Sequence, residues 1–122
     1  MKKILLILFA VLLLTGCEET TTSTKINTIK SIDCDEEKEL VEKGALLIDV
    51  REDDEYNEAH LENAINIPYG SIVSKIAEYA KDKGQDIILY CKSGKRASIA
   101  ADSLKDAGYT SIYNLGGISK CQ

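Results

Sequence analysis

The sequence predicts an α/β fold: a mostly parallel, five-stranded sheet covered by helices on both faces. Two observations predict it. Short, wholly apolar runs recur along the chain, and polar stretches with helical spacing of their apolar residues lie between them. Strands without polar alternation are strands buried on both sides, the condition of a parallel sheet with helices above and below.

The elements follow in order. "INTIKSI" (26–32) alternates loosely and suits a first strand. "DEEKELVEKG" (35–44) has acids in its first turn and Gly44 as a stop, both fitting a helix. "ALLIDV" (45–50) is a buried strand, and "EDDEYNEAHL" (52–61) a polar helical turn. "AINIP" (64–68) is a short strand closed by the only proline. "SIVSKIAEYAKDKG" (71–84) puts Ile72, Val73, Ile76, Tyr79 and Ala80 on one helical face, and Gly84 ends it. "DIILYC" (86–91) is the most apolar strand. "RASIAADSLKDAG" (96–108) places Ile99, Ala100, Ser103, Leu104 and Ala107 on one face before Gly108. "SIYNL" (111–115) is the last strand, followed by Gly116 and Gly117.

The N-terminus is a different kind of sequence. A basic head, "MKK", precedes the apolar run "ILLILFAVLLL", as in a secretory signal. That run falls short of the roughly 20 residues of a membrane-spanning helix. It ends in "LTGC", Leu14 to Cys17, which resembles the lipobox of bacterial lipoproteins. The resemblance implies a signal peptide over 1–16, with Cys17 as the lipidated first residue of the mature chain. An ordinary signal peptide with a chance cysteine is the alternative. Paired acyl chains hold a protein at a bilayer far better than one. The Thr-rich "EETTTSTKINT" that follows cannot form a core and reads as a tether, 17–27. The folded domain is expected over 28–122, enough for one modest core.

The chain carries a formal charge of -5, which becomes more negative once Lys2 and Lys3 leave with the signal. The stretch 33–62 is densely acidic. Such a surface disfavours nucleic acid and anionic lipid as partners. The cations collect instead in "CKSGKR", Cys91 to Arg96.

That loop joins the most apolar strand to a helix, at the carboxyl end of the strand, where open α/β sheets bind ligands. The thiolate is the nucleophilic form of cysteine, and a helix N-terminus and nearby cations favour it. Lys92, Lys95 and Arg96 supply the cations, and Gly94 allows the tight backbone curl that a ring of N–H donors requires. Residues Cys91, Lys92, Ser93, Gly94, Lys95 and Arg96 thus form a candidate cradle for an anion beside a sulfur nucleophile. No Cys/His spacing resembles a zinc site, and His60 is the only histidine.

"CKSGKR" resembles the active-site loop C-x-x-G-x-R of single-domain rhodaneses, the sulfurtransferases. "LLIDVREDDEYNEAHLENAINIP" is similar to that family's "DVR…E-[FY]…GH[IL]-x-G-A-x-N-[IV]-P" block, and "YNLGGI" to its last strand and Gly-Gly turn. The likeness runs from about Ile32 to Ile118, in the family's order. It implies a three-layer rhodanese-like fold. It also implies that Cys91 takes the outer sulfur of a small anionic donor such as thiosulfate and carries it as a persulfide to a thiol or cyanide. By the same resemblance, backbone N–H groups of residues 92–96 stabilise the persulfide, Arg96 orients the donor, and Lys92 and Lys95 draw it in. Asp49 and Arg51 match "DVR" and are expected to hold the neighbouring loop. No metal or organic cofactor is implied, and a monomer is expected. Phosphatases and arsenate reductases of related fold have C-x5-R loops; the C-x4-R spacing here suits sulfur. The other readings are a persulfide-carrying relay or binding module with little thiosulfate turnover, and a non-catalytic scaffold. The lipid anchor would place the domain outside the cytoplasm, on the periplasmic or extracellular face.

The sequence departs from the family pattern at three places. Ala59 and Asn63 stand where the family has glycines; Asn tolerates the left-handed region, and Ala59 matters only if its φ is positive. His60 matches the motif histidine and is expected as a buried imidazole bonded to backbone. Cys121 replaces a frequent tryptophan, and the usual final helix is expected to be missing or very short. Because the first and last strands of that fold are neighbours, a Cys34–Cys121 disulfide could replace the missing packing. Two unpaired cysteines, or Cys121 as a resolving thiol for Cys91, are the alternatives.

Overall fold

The computed structural model describes residues 29–122; the signal, the tether and Cys17 lie outside them. Five strands form one sheet: β1 (Lys30–Ser31), β2 (Leu46–Asp49), β3 (Ile65–Asn66), β4 (Ile87–Cys91) and β5 (Ile112–Gly117). Their order is β1-β5-β4-β2-β3, and every pairing is parallel. The helices are α1 (Cys34–Glu42), α2 (Asp53–Glu58), α3 (Ile72–Lys75) and α4 (Lys95–Asp106).

The alternation of β4 divides the core into two layers. Ile87, Leu89 and Cys91 face one side, with Ile72, Ile76, Ala97, Ala100, Ala101 and Leu104. Ile88 and Tyr90 face the other, with Leu47, Leu61, Leu115 and Ile118, against which Leu40 and Val41 of α1 pack. All five β4 residues are buried. This is the double-sided burial that its unbroken apolar run predicts.

Start signals act as local chemistry dictates. Asp33 caps α1: its carboxylate accepts the Glu36 N–H at 2.9 Å, while Glu36 accepts the Asp33 N–H at 3.2 Å. This reciprocal capping box moves the helix start to Cys34.

Several boundaries and faces differ from expectation. The stretch expected as one helix over 71–84 is only α3, flanked by 3-10 turns at Tyr69–Ser71 and Ile76–Glu78. Ile72 and Ile76 are buried there, whereas Val73 and Tyr79 are exposed. On α4 the buried set is Ala97, Ala100, Ala101 and Leu104, and Ile99 faces solvent. The small alanines let α4 lie close to the sheet, so the buried stripe is rotated toward them. The last strand runs on through Gly116 and Gly117, because Leu115 is an extra residue where the β4–β5 register shifts after Leu89. After Gly117 a 3-10 turn, Ile118–Cys121, buries Ile118 against the α1 layer.

Cys34 and Cys121 are joined by a disulfide, with Cα atoms 5.6 Å apart. It ties the start of α1 to the turn after β5. Ala59 has φ -167°, an extended conformation open to any residue, and Asn63 has φ 70°. His60 is exposed, not buried as expected. Its Nδ1 lies 3.0 Å from the Tyr56 carbonyl oxygen and its ring stacks on Tyr56 at 3.8 Å. The loop 59–61 keeps its backbone near the sheet through Leu61 instead, which leaves the imidazole on the surface.

Candidate active site

The loop after β4 curls because Gly94 adopts φ 98°, a conformation side-chain-bearing residues rarely take. Gly94 caps α4, and its carbonyl accepts the Ser98 N–H at 3.0 Å. The turn directs two backbone N–H groups at the Cys91 sulfur. Gly94 donates to Sγ at 3.0 Å and Ala97 at 3.4 Å. Two donors at the first turn of a helix stabilise negative charge on the atom they face. Ala97 lies beyond the expected 92–96 span. It was missed because an alanine side chain carries no chemical signal; its amide does.

Cys91 is the free cysteine among the described residues, and it is buried. Its burial comes from its place as the last β4 residue, paired with Gly117 on β5. Lys92, Ser93 and Lys95 are exposed around the loop. The Lys95 N–H reaches Ser93 Oγ at 3.5 Å, a long contact.

Arg96 is half-buried and already engaged. Its Nη1 donates to Glu55 Oε1 at 2.7 Å and its Nη2 to Glu55 Oε2 at 3.0 Å. This fork-on-fork pair links α2 to the first turn of α4. The Arg96 hydrogen bond, foremost, holds the Glu55 carboxyl down to about 2. In return Glu55 raises the Arg96 guanidinium. Glu55 was not singled out as a site residue, although it is the acid of the "E-[FY]" match, beside Tyr56.

Asp49 and Arg51 form a second, buried pair at the carboxyl end of β2. Arg51 Nη2 donates to Asp49 Oδ2 at 2.7 Å and to the Ala59 carbonyl at 2.6 Å. Arg51 Nε donates to both Asp49 oxygens, and the Arg51 N–H donates to Oδ1 at 2.9 Å. The hydrogen bond to Asp49 is the main cause that raises the Arg51 guanidinium. The pair fixes the 50–59 segment that carries Glu55. Across the sheet, the Leu61 N–H donates to the Tyr90 hydroxyl at 3.0 Å, and burial pushes that phenol well above its usual range.

The Gly-Gly turn closes the site. A β-carbon on Gly117 would stand 2.5 Å from the Lys92 carbonyl oxygen, and one on Gly94 would stand 3.4 Å from Gly116 Cα. The loop and the end of β5 thus meet backbone to backbone. Of the expected loop residues only Gly94 reaches the sulfur, joined there by Ala97. Lys92, Ser93 and Lys95 lie exposed on the loop, Arg96 turns to Glu55, and Asp49 and Arg51 support the adjoining segment. Cys34 and Cys121 sit with α1 on the other sheet face, and Cys121 packs against the layer opposite the one that contains Cys91.

A family model described as the rhodanese-like domain matches residues 33–122. A second, for the prokaryotic membrane lipoprotein lipid attachment site, matches residues 1–17. Thiosulfate sulfurtransferase PspE of Escherichia coli is 37% identical over 71 residues, covering 58% of this chain and 68% of that protein. A thiosulfate:glutathione sulfurtransferase of Saccharomyces cerevisiae is 34% identical over 107 residues, covering 75% of this chain and 77% of that protein. Among solved structures, a rhodanese with anions from E. coli superposes with a TM-score of 0.61 at 34% identity, covering 63% of this chain and 91% of that one.

Proposed function

The chain belongs to the rhodanese-like domain family, and from that premise we propose that it is a lipid-anchored sulfurtransferase working through a persulfide on Cys91. One observation carries the reading: the Cys91 sulfur stands at the carboxyl end of β4 with the Gly94 and Ala97 N–H groups aimed at it.

The cycle has two displacements. The Cys91 thiolate attacks the outer sulfur of thiosulfate; a Cys–S–S bond forms, the donor's S–S bond breaks, and sulfite leaves with the electron pair. The outer persulfide sulfur is anionic, and the Gly94 and Ala97 N–H groups beside Sγ offset its charge. A thiophile such as cyanide or a thiolate then attacks that outer sulfur. The new bond forms as the persulfide bond breaks, and Cys91 leaves as thiolate. No net oxidation of the protein occurs, so no redox cofactor enters the cycle. Lys92 and Lys95 draw in the anionic donor. Asp49 and Arg51 hold the segment beside the loop. The C-x4-R ring favours sulfur over a tetrahedral phosphate ester.

Domain limits follow the same proposal: a signal over 1–16, a tether over 17–27 attached through Cys17, and the domain over 28–122. Attachment through Cys17 is supported by the lipid attachment match, and the signal would carry the domain to the outer face of the membrane. Among the described residues no helix is long and apolar enough to cross one.

The test is cyanide-dependent thiocyanate formation from thiosulfate by the purified chain in detergent, with Cys91→Ser as control. Turnover above the control is expected. Thiocyanate no higher than the control would sink the enzyme reading, and a persulfide on Cys91 without turnover would assign the protein to sulfur relay.

A further inference from the structure

Arg96 is the residue the resemblance assigns to the donor's sulfonate, yet both its terminal nitrogens are bound to one carboxylate. Glu55 Oε1 and Oε2 accept from Nη1 and Nη2 at 2.7 and 3.0 Å. The pair is about a quarter exposed on each side, so it is neither sealed in the core nor free in solvent. A guanidinium neutralised in this way presents little net charge to an incoming dianion. Its remaining N–H groups can still bond, but its charge is largely balanced by Glu55.

Lys92 and Lys95 are the other cations of the loop. Both are exposed, and among the described residues neither is in an ion pair. Two exposed ammonium groups give a shallow, strongly hydrated attraction compared with a planar fork. The loop's charge is therefore divided: the lysines recruit, and the arginine is committed to α2.

We infer that Glu55 is a specificity-determining residue: by occupying the forked end of Arg96 it competes with the donor, and it turns the site away from doubly charged donors toward singly charged ones. The inference rests on the sulfurtransferase reading and ranks its donors: monoanionic sulfane carriers, of which organic thiosulfonates are the simplest, bind in preference to thiosulfate, which is still turned over. Transfer from a thiosulfonate is balanced as for thiosulfate: the Cys91 thiolate takes the outer sulfur and a sulfinate leaves with the electron pair. The competition is not relieved by moderate acid, because Arg96 keeps the Glu55 carboxyl ionised down to about pH 2.

Glu55→Gln keeps the side-chain length and removes the charge. Two measurements on the purified chain in detergent test it. The first titrates sulfate, a dianion that transfers no sulfur, and methanesulfonate, its singly charged counterpart, against the Gly94 and Ala97 amide resonances. Glu55→Gln should bind sulfate roughly threefold or more tightly than the native chain, the scale of freeing one partly exposed ion-pair partner, with methanesulfonate changed by less. Adding Arg96→Met should erase that gain. The second compares KM for thiosulfate with KM for methanethiosulfonate; thiosulfate KM should fall by a similar factor while kcat changes little. Sulfate affinity that is unchanged or weaker in a folded Glu55→Gln chain overturns the inference, as does a gain that survives Arg96→Met. Glu55→Ala repeats the titration if the amide variant does not fold. The sulfate titration needs no turnover, so an inactive protein would defeat the sulfurtransferase reading and leave this one to its own result.

Discussion

Gly117 and Lys92 meet so closely that a β-carbon on Gly117 would stand 2.5 Å from the Lys92 carbonyl oxygen. Real β-carbons do not approach oxygen that closely, so the backbone must shift to admit one. The loop that shifts is the one that aims amides at Cys91. Gly117→Ala is expected to cost about 1–3 kcal/mol in chemical denaturation, the range of overpacked sites, and to lower sulfur transfer by more than the stability loss explains. Wild-type kcat/KM in this variant would mean that the loop does not depend on the contact.

Removing one partner of the Asp49–Arg51 pair strands a buried charge. Asp49 accepts from the Arg51 side chain and from its backbone N–H. Arg51→Leu is expected to destabilise by about 3–5 kcal/mol, as in other broken buried pairs. Arg51→Lys should recover little, since one ammonium cannot reproduce the fork that spans Asp49 and the Ala59 carbonyl. Urea midpoints of the three chains decide the matter.

The Cys34–Cys121 bond closes a loop across a sequence separation of 87. The chain-entropy relation puts its contribution at about 4–5 kcal/mol, within a commonly observed span of about 2–5. Cys34→Ser/Cys121→Ser should lower the melting temperature strongly yet keep sulfur transfer at temperatures where it stays folded, because Cys121 packs on the layer opposite Cys91. Non-reducing peptide mapping should recover the 34–121 linkage and a free Cys91.

Two carboxylates should titrate stability in opposite senses. The Glu55 carboxyl falls from 4.5 to about 2 on pairing with Arg96. Its contribution is therefore present above about pH 4.5 and lost as pH drops toward 2. The pair is partly exposed, so Glu55→Gln should cost below about 1 kcal/mol at neutral pH, and the gap should close in acid.

Burial, opposed by Lys38 and reinforced by Glu62, raises the Glu37 carboxyl. A raised carboxyl costs the fold nothing while it is protonated in both states, and penalises it as pH rises from 4.5 through its folded value. Glu37→Gln should accordingly raise the melting temperature at neutral pH, with the gain fading below pH 4.5. A variant that melts lower at pH 7 would show that the carboxylate has a partner worth more than its burial.

The strands and their order of burial were legible because β2 and β4 are apolar on both faces, which leaves few other folds for them. The Cys91 loop was legible for a similar reason: thiol, glycine and cations stand together in six consecutive positions. What the sequence hid was tertiary. Nothing local tells that Val73 and Tyr79 face water while Ile76 does not, since the short α3 breaks into 3-10 turns whose period differs from the one assumed. Nor does the sequence show that Glu55 reaches Arg96 across 41 positions. The capture of Arg96 needs the β2–α2 connection and the start of α4 at one end of the sheet, which only the parallel topology arranges.

Any force that reaches the folded domain from its N-terminal side enters through β1. This strand is short, with two register pairs to β5, and would peel first. The peel cannot travel far. At Cys34 the chain is covalently joined to Cys121, at the far end of the same domain. Unzipping from the N-terminal side stops at this crosslink, and Gly94, Cys91 and Arg96 lie inside the covalently closed ring. The disulfide is thus placed as a mechanical stop on the sheet face opposite Cys91.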